Sequence, residues 1–478
     1  MVPVSDKNRS VVILGAGISG LTAAYEFGRK GYQVTILEAS HRAGGRNLTL
    51  RHGDLIDEIG DPRICGFDED PDLYLNAGPS RIPQQHSGLL GYCRELGVPL
   101  VPFINDNRNA WVQDDAFFGG KRIRNREYVT DSRGFITELA AKSIKPESLE
   151  APFTRGDYER VLEYLREFGD LDLHLNYRGS TRAGLLTHDP LAPNVLKQPL
   201  DPHELLKSTS MMAQMTFGEE ADQAAMMMEP AGGMDQVVAG FLRRVEPNLR
   251  LHAMVESVQI KESGVRVIYH ARGEQTVIDA DYCLNCIPVQ LLAGIDNNFP
   301  DDYAAALLLI PRGKMAKMGF QMKERFWERE GIYGGISWTS QDIQQVWYPS
   351  HGIHRQKGVV LAAYPFNPEV GEKFARMTDA QRLEAAAAQG EKLHPGYRNY
   401  IEHGVSVCWS RMNNMLGCST RWTDTLAERR FDLLRTPIGN HYLIGDQVSH
   451  LPGWQEGAIY SAWHALADID RRERARAA

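Results

Sequence analysis

The segment GAGISG carries three glycines, Gly15, Gly17 and Gly20, between a short apolar stretch and a helical pattern. In a strand–turn–helix unit of this kind, the first glycine permits a tight turn, the second lets the backbone approach a pyrophosphate, and the third lets the helix pack closely on the strand. The start of the helix then presents N–H groups and the positive end of its dipole to phosphate. Glu38 follows at the distance where an acid binds ribose hydroxyls, so these residues predict a dinucleotide site.

A second glycine turn, Gly44-Gly45-Arg46, follows soon after Glu38. NAD and FAD are both compatible with the first motif, so the second turn adds information. Gly45 provides another close approach of the backbone, and Arg46 provides a fixed guanidinium suited to a phosphate. An unrelated surface turn is the alternative interpretation.

Arg81 stands in YLNAGPSRIP, residues 74–83, between two prolines and among small and apolar residues. Gly-Pro is a turn dipeptide, so an exposed arginine on a surface turn is the simplest interpretation of this stretch alone. A proline-flanked turn would also hold a cation rigidly, so little entropy would be lost when it binds an anion through two hydrogen bonds.

The elements that must position these residues alternate between strand and helix. VVIL, LTAAYEFGRK and QVTIL form one βαβ unit around the first glycine motif. Between residues 108 and 236 helical patterns such as YERVLEYLREF dominate, and strand-like sequence returns from RLHAMVESVQI onward. This alternation predicts an α/β protein with interleaved domains.

The composition excludes several classes of partner. The chain has 478 residues, 43% of them hydrophobic, and a net charge of -8, which favours neither nucleic acid nor an anionic membrane as a partner. No apolar run reaches the ~18 residues of a membrane span, and the N-terminus lacks the pattern of a secretory signal. Six cysteines are too few for a disulfide scaffold, so a cytoplasmic protein with free thiols is expected. No metal site is predicted, and CLNC at 283–286 favours a structural strand over a redox motif.

GAGISG with Glu38, the GGR turn and IGDQVSHLPGWQEGAIYSA near the end resemble the FAD-dependent amine oxidase family, in its L-amino-acid oxidase branch. Within that branch the chain resembles bacterial L-tryptophan oxidases of bisindole (rebeccamycin and staurosporine type) biosynthesis. The resemblance implies FAD as cofactor, an amino acid and oxygen as reactants, and a homodimer. It also implies a Rossmann-like FAD-binding domain (1–70, 237–310 and 430–478) interleaved with a mixed-sheet substrate domain (71–107 and 311–429) and an inserted helical subdomain (108–236).

The resemblance implies further cofactor contacts. Asp446, after Gly445, would bind the ribityl or pyrophosphate portion, and the Gly453-Trp454 turn would lie against the isoalloxazine ring. Val255 matches the strand position whose backbone meets adenine. The turn that precedes Arg81 would lie beside the flavin through Gly78, Pro79 and Ser80. Many relatives have a different tripeptide at Asp446-Gln447-Val448, which puts only local ring contacts in doubt.

The resemblance also assigns the reacting groups. Arg81 would bind the substrate carboxylate and Tyr364 would donate a second hydrogen bond to it. Lys317 would assist the reaction of reduced flavin with oxygen, where a cation can stabilise developing negative charge. Trp454, with Gly453, and Trp409 would form an aromatic wall at the substrate, although both tryptophans could belong to the core.

The expected reaction is oxidative deamination of an L-amino acid to an imino acid and then a 2-oxo acid, with formation of hydrogen peroxide. An amino-acid 2-monooxygenase, or an oxidase of broad or different side-chain preference, remains an alternative. A flavin reductase fed by NAD(P)H, or a non-catalytic flavin-binding protein, is less favoured. Tryptophan is the expected substrate, with Trp338, Trp347 and Tyr348 as candidate pocket residues. The methionines at 211, 212, 215 and 226–228 are expected to fill a core, although they could also line this pocket.

Overall fold

The computed structural model describes residues 9–145, 154–187, 189–208, 211, 216–420 and 425–477. Two methionines of the predicted cluster, Met212 and Met215, lie outside these residues. Of the others, Met211 and Met227 are buried and Met226 is half exposed.

A five-stranded parallel sheet contains the strand that leads into the glycine motif. Strand β1 (Ser10–Leu14) leads through the GAGISG turn into helix α1 (Ile18–Arg29), which returns to strand β2 (Gln33–Leu37). Across the sheet the strands are Leu249–Arg250, β2, β1, Tyr282–Asn285 and His441–Leu443, all parallel to their neighbours. Segments distant in sequence therefore end at one sheet edge, as in doubly wound nucleotide-binding folds.

Both faces of this sheet are covered, which explains why its central strand β1 reads as a continuous apolar run at residues 11–14. Val11 and Ile13 pack into a core with α1, helix Asp235–Val245 and helix Gln455–Ala477. Val12 and Leu14 face the opposite core, against a four-stranded sheet and helix Asp301–Leu308. The strands of the four-stranded sheet are Glu274–Ala280, Gly264–Ala271, Met254–Lys261 and Asp296–Asn297.

A seven-stranded mixed sheet forms the second unit. Its strands are, in order, Ile123–Arg124, Trp111–Gln113, Gly335–Thr339, Gln345–Tyr348, Gly358–Ala363, Ala316–Met322 and Ile401–Cys408. The first two strands come from the stretch in which the sequence shows mainly helical patterns. They have two and three residues, too few to produce a recognisable alternation.

Helices Asn125–Ser143 and Arg155–Gly169 pack against each other in the middle of the chain. A three-stranded antiparallel sheet (Ile82–Pro83, Met227–Pro230 and Leu100–Phe103) joins this region to the arginine turn. The predicted α/β fold class is confirmed. The domain borders stay a prediction.

The remaining elements are short or peripheral. Further helices are Ser87–Glu95, Pro202–Leu205, Val289–Leu292, Phe326–Arg329, Pro368–Ala375, Asp379–Leu393, Tyr397–Tyr400 and Thr425–Arg435. Single 3-10 turns are Phe118–Gly120, Thr181–Ala183, Phe217–Glu219, Glu246–Asn248 and Asp446–Val448. Two hairpin-like pairs are Thr49–Leu50 with Leu75–Asn76 and Leu55–Glu58 with Asp61–Ile64. None of the helices in the described ranges combines the length and apolar character that a membrane span requires.

Candidate active site

The glycine turn after β1 leaves the start of helix α1 open. Gly15 has φ of +97°, a left-handed conformation that favours glycine. A Cβ at Gly20 would lie 2.1 Å from the Gly15 carbonyl oxygen, so the helix can approach the strand only without one. A Cβ at Gly17 would meet no heavy atom within 4 Å, and no side chain caps the helix there. The uncapped N–H groups and the empty space beside Gly17 form a cradle for phosphate.

Replacing Gly17 with alanine should weaken FAD binding by about ten- to a hundredfold. The methyl group would fill the space through which a phosphate approaches the N–H groups, and hydrogen bonds to a charged group are worth ~1.5–3 kcal/mol. Gly28→Ala is a matched control in the same helix, since its Cβ also meets nothing within 4 Å and Gly28 lies outside the cavity. The control should keep wild-type FAD affinity, with stability unchanged or raised by up to ~1 kcal/mol. FAD titration of the apoprotein checks both variants, and equal affinities would contradict the assignment of the cradle.

Glu38 lies at the end of β2 and is 5% exposed. Its Oε2 accepts a hydrogen bond from the Ala16 N–H at 2.7 Å, and its Oε1 accepts one from the Ser40 N–H at 2.9 Å. A carboxylate has about four acceptor positions, so lone pairs remain for a ligand hydroxyl. Glu38 is thus held in place by the glycine turn and faces the same cavity as Gly17.

Arg46 and Asp446 form an ion pair across the cavity wall, with Nη1 3.0 Å from Oδ2. The Gly453 N–H also donates to Asp446 Oδ2, at 2.8 Å. Burial opposes the charge on Asp446, but the Arg46 guanidinium and the Gly453 N–H hold the pKa of this carboxyl below its ordinary value. Arg46 therefore has a structural role, as the partner of Asp446, that its sequence motif alone does not indicate, while its phosphate role stays a prediction.

One cavity is lined both by these groups and by residues of the second sheet. Most of the predicted site residues line it, namely Gly15, Gly17, Glu38, Gly45, Arg46, Gly78, Pro79, Val255, Lys317, Tyr364, Trp409, Gly445, Asp446, Gly453 and Trp454. Gly20, Ser80 and Arg81 do not line it. Gly20 packs between helix and strand, whereas Ser80 and Arg81 lie directly behind the wall.

The arginine turn reaches the cavity because two short strands pair. Leu75–Asn76 runs antiparallel to Thr49–Leu50, which follows the GGR turn. A Cβ at Gly78 would lie 1.8 Å from the Arg46 carbonyl oxygen, so the two turns touch only because this residue is glycine. The GGR turn and the arginine turn are therefore one packed unit.

Lys317 extends from strand Ala316–Met322 into this unit and is 2% exposed. Its Nζ donates to the Asn76 carbonyl at 3.0 Å, the Gly78 carbonyl at 2.5 Å and Ser80 Oγ at 2.7 Å. Burial, and then the nearby Arg81 charge, lower the pKa of Lys317 to about 7. The alternative of a solvent-facing strand lysine is therefore wrong for Lys317.

Arg81 is 7% exposed and is not part of a surface turn. Its guanidinium carbon lies 4.7 Å from the centre of the Trp347 ring and 5.5 Å from that of Trp454. Burial lowers the pKa of Arg81 to about 10, so the group is still a cation at neutral pH. In the described residues its hydrogen bonds go to a neutral acceptor, the Gln223 side-chain oxygen, from Nε at 3.0 Å and Nη2 at 2.6 Å.

Three aromatic residues surround the space between Arg81 and Lys317. The Tyr364 ring centre lies 4.4 Å from Lys317 Nζ and 5.5 Å from the Trp347 ring centre. The Trp409 Nε1–H donates to the Ala77 carbonyl at 2.9 Å, so this tryptophan both lines the cavity and holds the arginine turn. The two interpretations offered for Trp409, cavity wall and core, thus describe one position.

Of the three aromatic residues expected to form a substrate pocket, only Trp347 contacts Arg81. The Trp338 ring packs on Phe217 with centres 5.0 Å apart. The Tyr348 hydroxyl bonds to His394 Nε2 at 2.6 Å, inside a different core.

Sequence reasoning missed two residues of this region, Arg312 and Gln223. Arg312 lines the cavity beside the Arg46–Asp446 pair and donates to the Gly417 carbonyl at 2.9 Å. Burial, and then the charge of Arg46, lower the pKa of Arg312 to about 10. An arginine within the apolar run LLLIPRG was the available signal for Arg312, whereas nothing local marks Gln223.

These features define a protein that binds a dinucleotide and places it against a buried arginine, a lysine and several aromatic rings. The open cradle at Gly17 fits a pyrophosphate. Arg46 and Arg312 carry two positive charges, and the neighbouring Asp446 carboxylate carries one negative charge. One positive charge is therefore left for a pyrophosphate to neutralise.

Comparison with known proteins gives the family. The family model described as "Flavin containing amine oxidoreductase" matches residues 18–469. The chain therefore belongs to the flavin-containing amine oxidoreductases, and the predicted family, the enzyme class and FAD as cofactor are confirmed. It is a flavoprotein oxidoreductase that acts on the CH–NH2 group of an amine.

Relatives with assigned activities cover nearly the whole chain. The chain is 26% identical to the L-amino-acid oxidase of Pseudechis australis, over 97% of this chain and 87% of that protein. It is also 26% identical to the flavin-dependent L-tryptophan oxidase RebO of Lentzea aerocolonigenes, over 98% of this chain and 99% of that one. Among solved structures, a putrescine oxidase variant matches with a TM-score of 0.65 and 19% identity, over 97% of this chain and 99% of that one. The cyclohexylamine oxidase of Brevibacterium oxydans matches with a TM-score of 0.65 and 18% identity, over 98% of this chain and 99% of that one.

Proposed function

We propose that the protein is an L-amino-acid oxidase whose substrate is L-tryptophan or a ring-substituted tryptophan. The observation that carries this proposal is the buried Arg81 cation, held by a neutral amide beside the flavin cavity. Among the described residues Arg81 forms no direct ion pair, although the Asp222 charge acts on it from further away. A buried cation without a direct ion-pair partner is costly, and the carboxylate of an amino acid would supply one. Amines such as putrescine have no carboxylate, so a site for them would not need Arg81.

The residues that line the cavity would hold FAD, which would supply two-electron oxidation of the neutral amine at Cα with oxygen as the final acceptor. The products would be hydrogen peroxide and an imino acid, which water hydrolyses to the 2-oxo acid and ammonia. The task of the protein is to orient this amine and to exclude water. Arg81 would fix the carboxylate through two hydrogen bonds. Tyr364 would donate a third hydrogen bond, because burial keeps its pKa far above neutrality and its hydroxyl protonated.

The surroundings of Arg81 favour an aromatic side chain. Trp347 and Trp454 flank the guanidinium, and the Phe103 ring centre lies 5.8 Å from that of Trp347. Aromatic rings prefer edge-to-face or offset contacts with one another, worth ~0.5–1.5 kcal/mol each. The similarity to an L-tryptophan oxidase over almost the whole length of both chains supports the same choice.

L-tryptophan should be oxidised with a higher kcat/KM than L-lysine, L-glutamate or L-alanine, because the rings around Arg81 offer no partner for a charged side chain and too little contact for a methyl group. D-tryptophan should be inert, since the carboxylate contact and the flavin together fix which face of Cα is presented. A peroxide-coupled assay with these five compounds measures both effects. A preference for a charged or small side chain would contradict the tryptophan assignment and leave the oxidase assignment standing.

Product analysis separates this proposal from the monooxygenase alternative. An oxidase yields the 2-oxo acid and ammonia, whereas a 2-monooxygenase decarboxylates the substrate to an amide. The roles given above to the cavity residues are part of the same proposal. A homodimer and a cytoplasmic location stay predictions, for which light scattering and cell fractionation are the tests.

A further inference from the structure

The Arg81 guanidinium is closed off from the flavin cavity. It does not line that cavity, and its guanidinium carbon lies 4.7 Å from the Trp347 ring centre and 5.5 Å from the Trp454 ring centre. One edge, formed by Nε and Nη2, is occupied by Gln223 Oε1. A carboxylate that uses this edge as a bidentate site must therefore take the place of the amide oxygen.

Gln223 is placed so that its side chain can leave while its backbone stays. The buried Asn105 side chain donates from Nδ2 to the Gln223 carbonyl oxygen at 2.6 Å, which anchors the backbone. The Gln223 residue is only partly buried, and its hydrogen bonds to Arg81 are likewise partly buried. Rotation about the side-chain bonds would uncover Arg81 without movement of the surrounding chain.

We propose that Gln223 is a positioning residue that stands in for the substrate carboxylate in the resting enzyme and is displaced by it. This inference rests on the proposed function, because it takes Arg81 as the carboxylate site. The amide oxygen keeps the guanidinium hydrogen-bonded and correctly oriented between the two rings while no substrate is present. Because it carries no full charge, it yields to a carboxylate, which binds a cation more strongly. Gln223 thereby sets the affinity for carboxylates without taking part in the chemistry.

Three substitutions separate this role from a merely structural one. Gln223→Ala and Gln223→Met both remove the acceptor, and methionine keeps most of the side-chain volume. Gln223→Glu keeps the length and adds a charge, so it would bind Arg81 as an internal carboxylate. Gln84→Glu is the matched control, since Gln84 hydrogen-bonds the nearby Ala225 carbonyl and makes no contact with Arg81.

The experiment is titration of the purified FAD-loaded variants with benzoate, followed by the change in flavin absorbance, with benzamide as the uncharged analogue. Gln223→Ala and Gln223→Met should bind benzoate at least about threefold more tightly than wild type, because the competing acceptor is gone. Gln223→Glu should bind it at least about tenfold more weakly, as expected for an internal competitor that forms charge-assisted hydrogen bonds with Arg81. Benzamide affinity should change less in all three. The affinity for benzoate relative to that for benzamide is the readout that a merely structural role of Gln223 would not change.

Unchanged or weaker benzoate binding in both Gln223→Ala and Gln223→Met would overturn the inference, as would an effect of Gln84→Glu equal to that of Gln223→Glu. Tighter binding in the alanine variant alone would also overturn it, since the cause would then be added space. If wild type binds benzoate no better than benzamide, or if Arg81→Ala leaves benzoate binding unchanged, the carboxylate site itself is wrong and both proposals fail. If benzoate binding depends on Arg81 but is the same in wild type and the Gln223 variants, only the inference about Gln223 is wrong.

Discussion

Arg81→Ala should raise the KM for L-tryptophan by about 10- to 100-fold, which corresponds to the loss of charge-assisted hydrogen bonds worth ~1.5–3 kcal/mol. The cation is buried between Trp347 and Trp454, so water cannot replace the missing contact as it would at a surface. Steady-state kinetics with the peroxide-coupled assay measures the change. Arg81→Lys should recover only part of the loss, because an ammonium cannot present two parallel donors to a carboxylate.

A substrate without a carboxylate provides the control for Arg81→Ala. Tryptamine carries the same indole and amine as tryptophan, so its slow oxidation should be little affected by the substitution. The preference for tryptophan over tryptamine should therefore shrink in the variant. A KM for tryptophan equal to that of wild type would show that the carboxylate binds elsewhere.

Lys317→Met should slow reoxidation of the reduced enzyme by oxygen by about ten- to a hundredfold, and slow its reduction by substrate much less. A buried cation next to the site of oxygen reduction stabilises developing negative charge, and removal of a comparable donor in other enzymes costs ~10²–10³ in rate. Stopped-flow absorbance measures the two half-reactions separately. Lys314→Met is the matched control, since this lysine lies three residues earlier and is half exposed.

The pH dependence of reoxidation provides a second measurement on Lys317. Because burial and the Arg81 charge lower its pKa to about 7, Lys317 is protonated below that pH and neutral above it. If the ammonium is the active form, reoxidation of wild type should slow as the pH rises through about 7. The same profile should be flat in Lys317→Met.

The contacts of Lys317 suggest the competing outcome. Its three hydrogen bonds hold the turn that carries Arg81, so a purely structural role would show itself as a higher KM for substrate with unchanged reoxidation. A defect confined to the reductive half-reaction would contradict the role assigned to Lys317 at the oxygen step.

The sequence alone was sufficient for the dinucleotide cradle. Gly15, Gly17 and Gly20 lie within six residues, and the strand, turn and helix that they require are adjacent in the chain. Local backbone geometry decides such a motif, so its pattern is visible without tertiary information. The same holds for Glu38, which is fixed by the next strand of the same βαβ unit.

The surroundings of Arg81 were decided only in the tertiary structure. The turn dipeptide in YLNAGPSRIP is equally typical of a surface loop, and only strand pairing with Thr49–Leu50 brings it beside the GGR turn. Burial then follows from Trp347 and Trp454, which come from other parts of the chain. No spacing within a single segment can report such packing.

Two pairings illustrate the physical reason. Arg46 meets Asp446 across 400 positions of sequence, and Arg81 meets Gln223 across 142. Short-range periodicity reports which face of a strand or helix is buried, but not which distant side chain will lie opposite. The chain by itself therefore determined the backbone geometry of the glycine turn and the place of Glu38 beside it, whereas folding decided which side chain lies against Arg81, because that contact exists only once the sheets have packed.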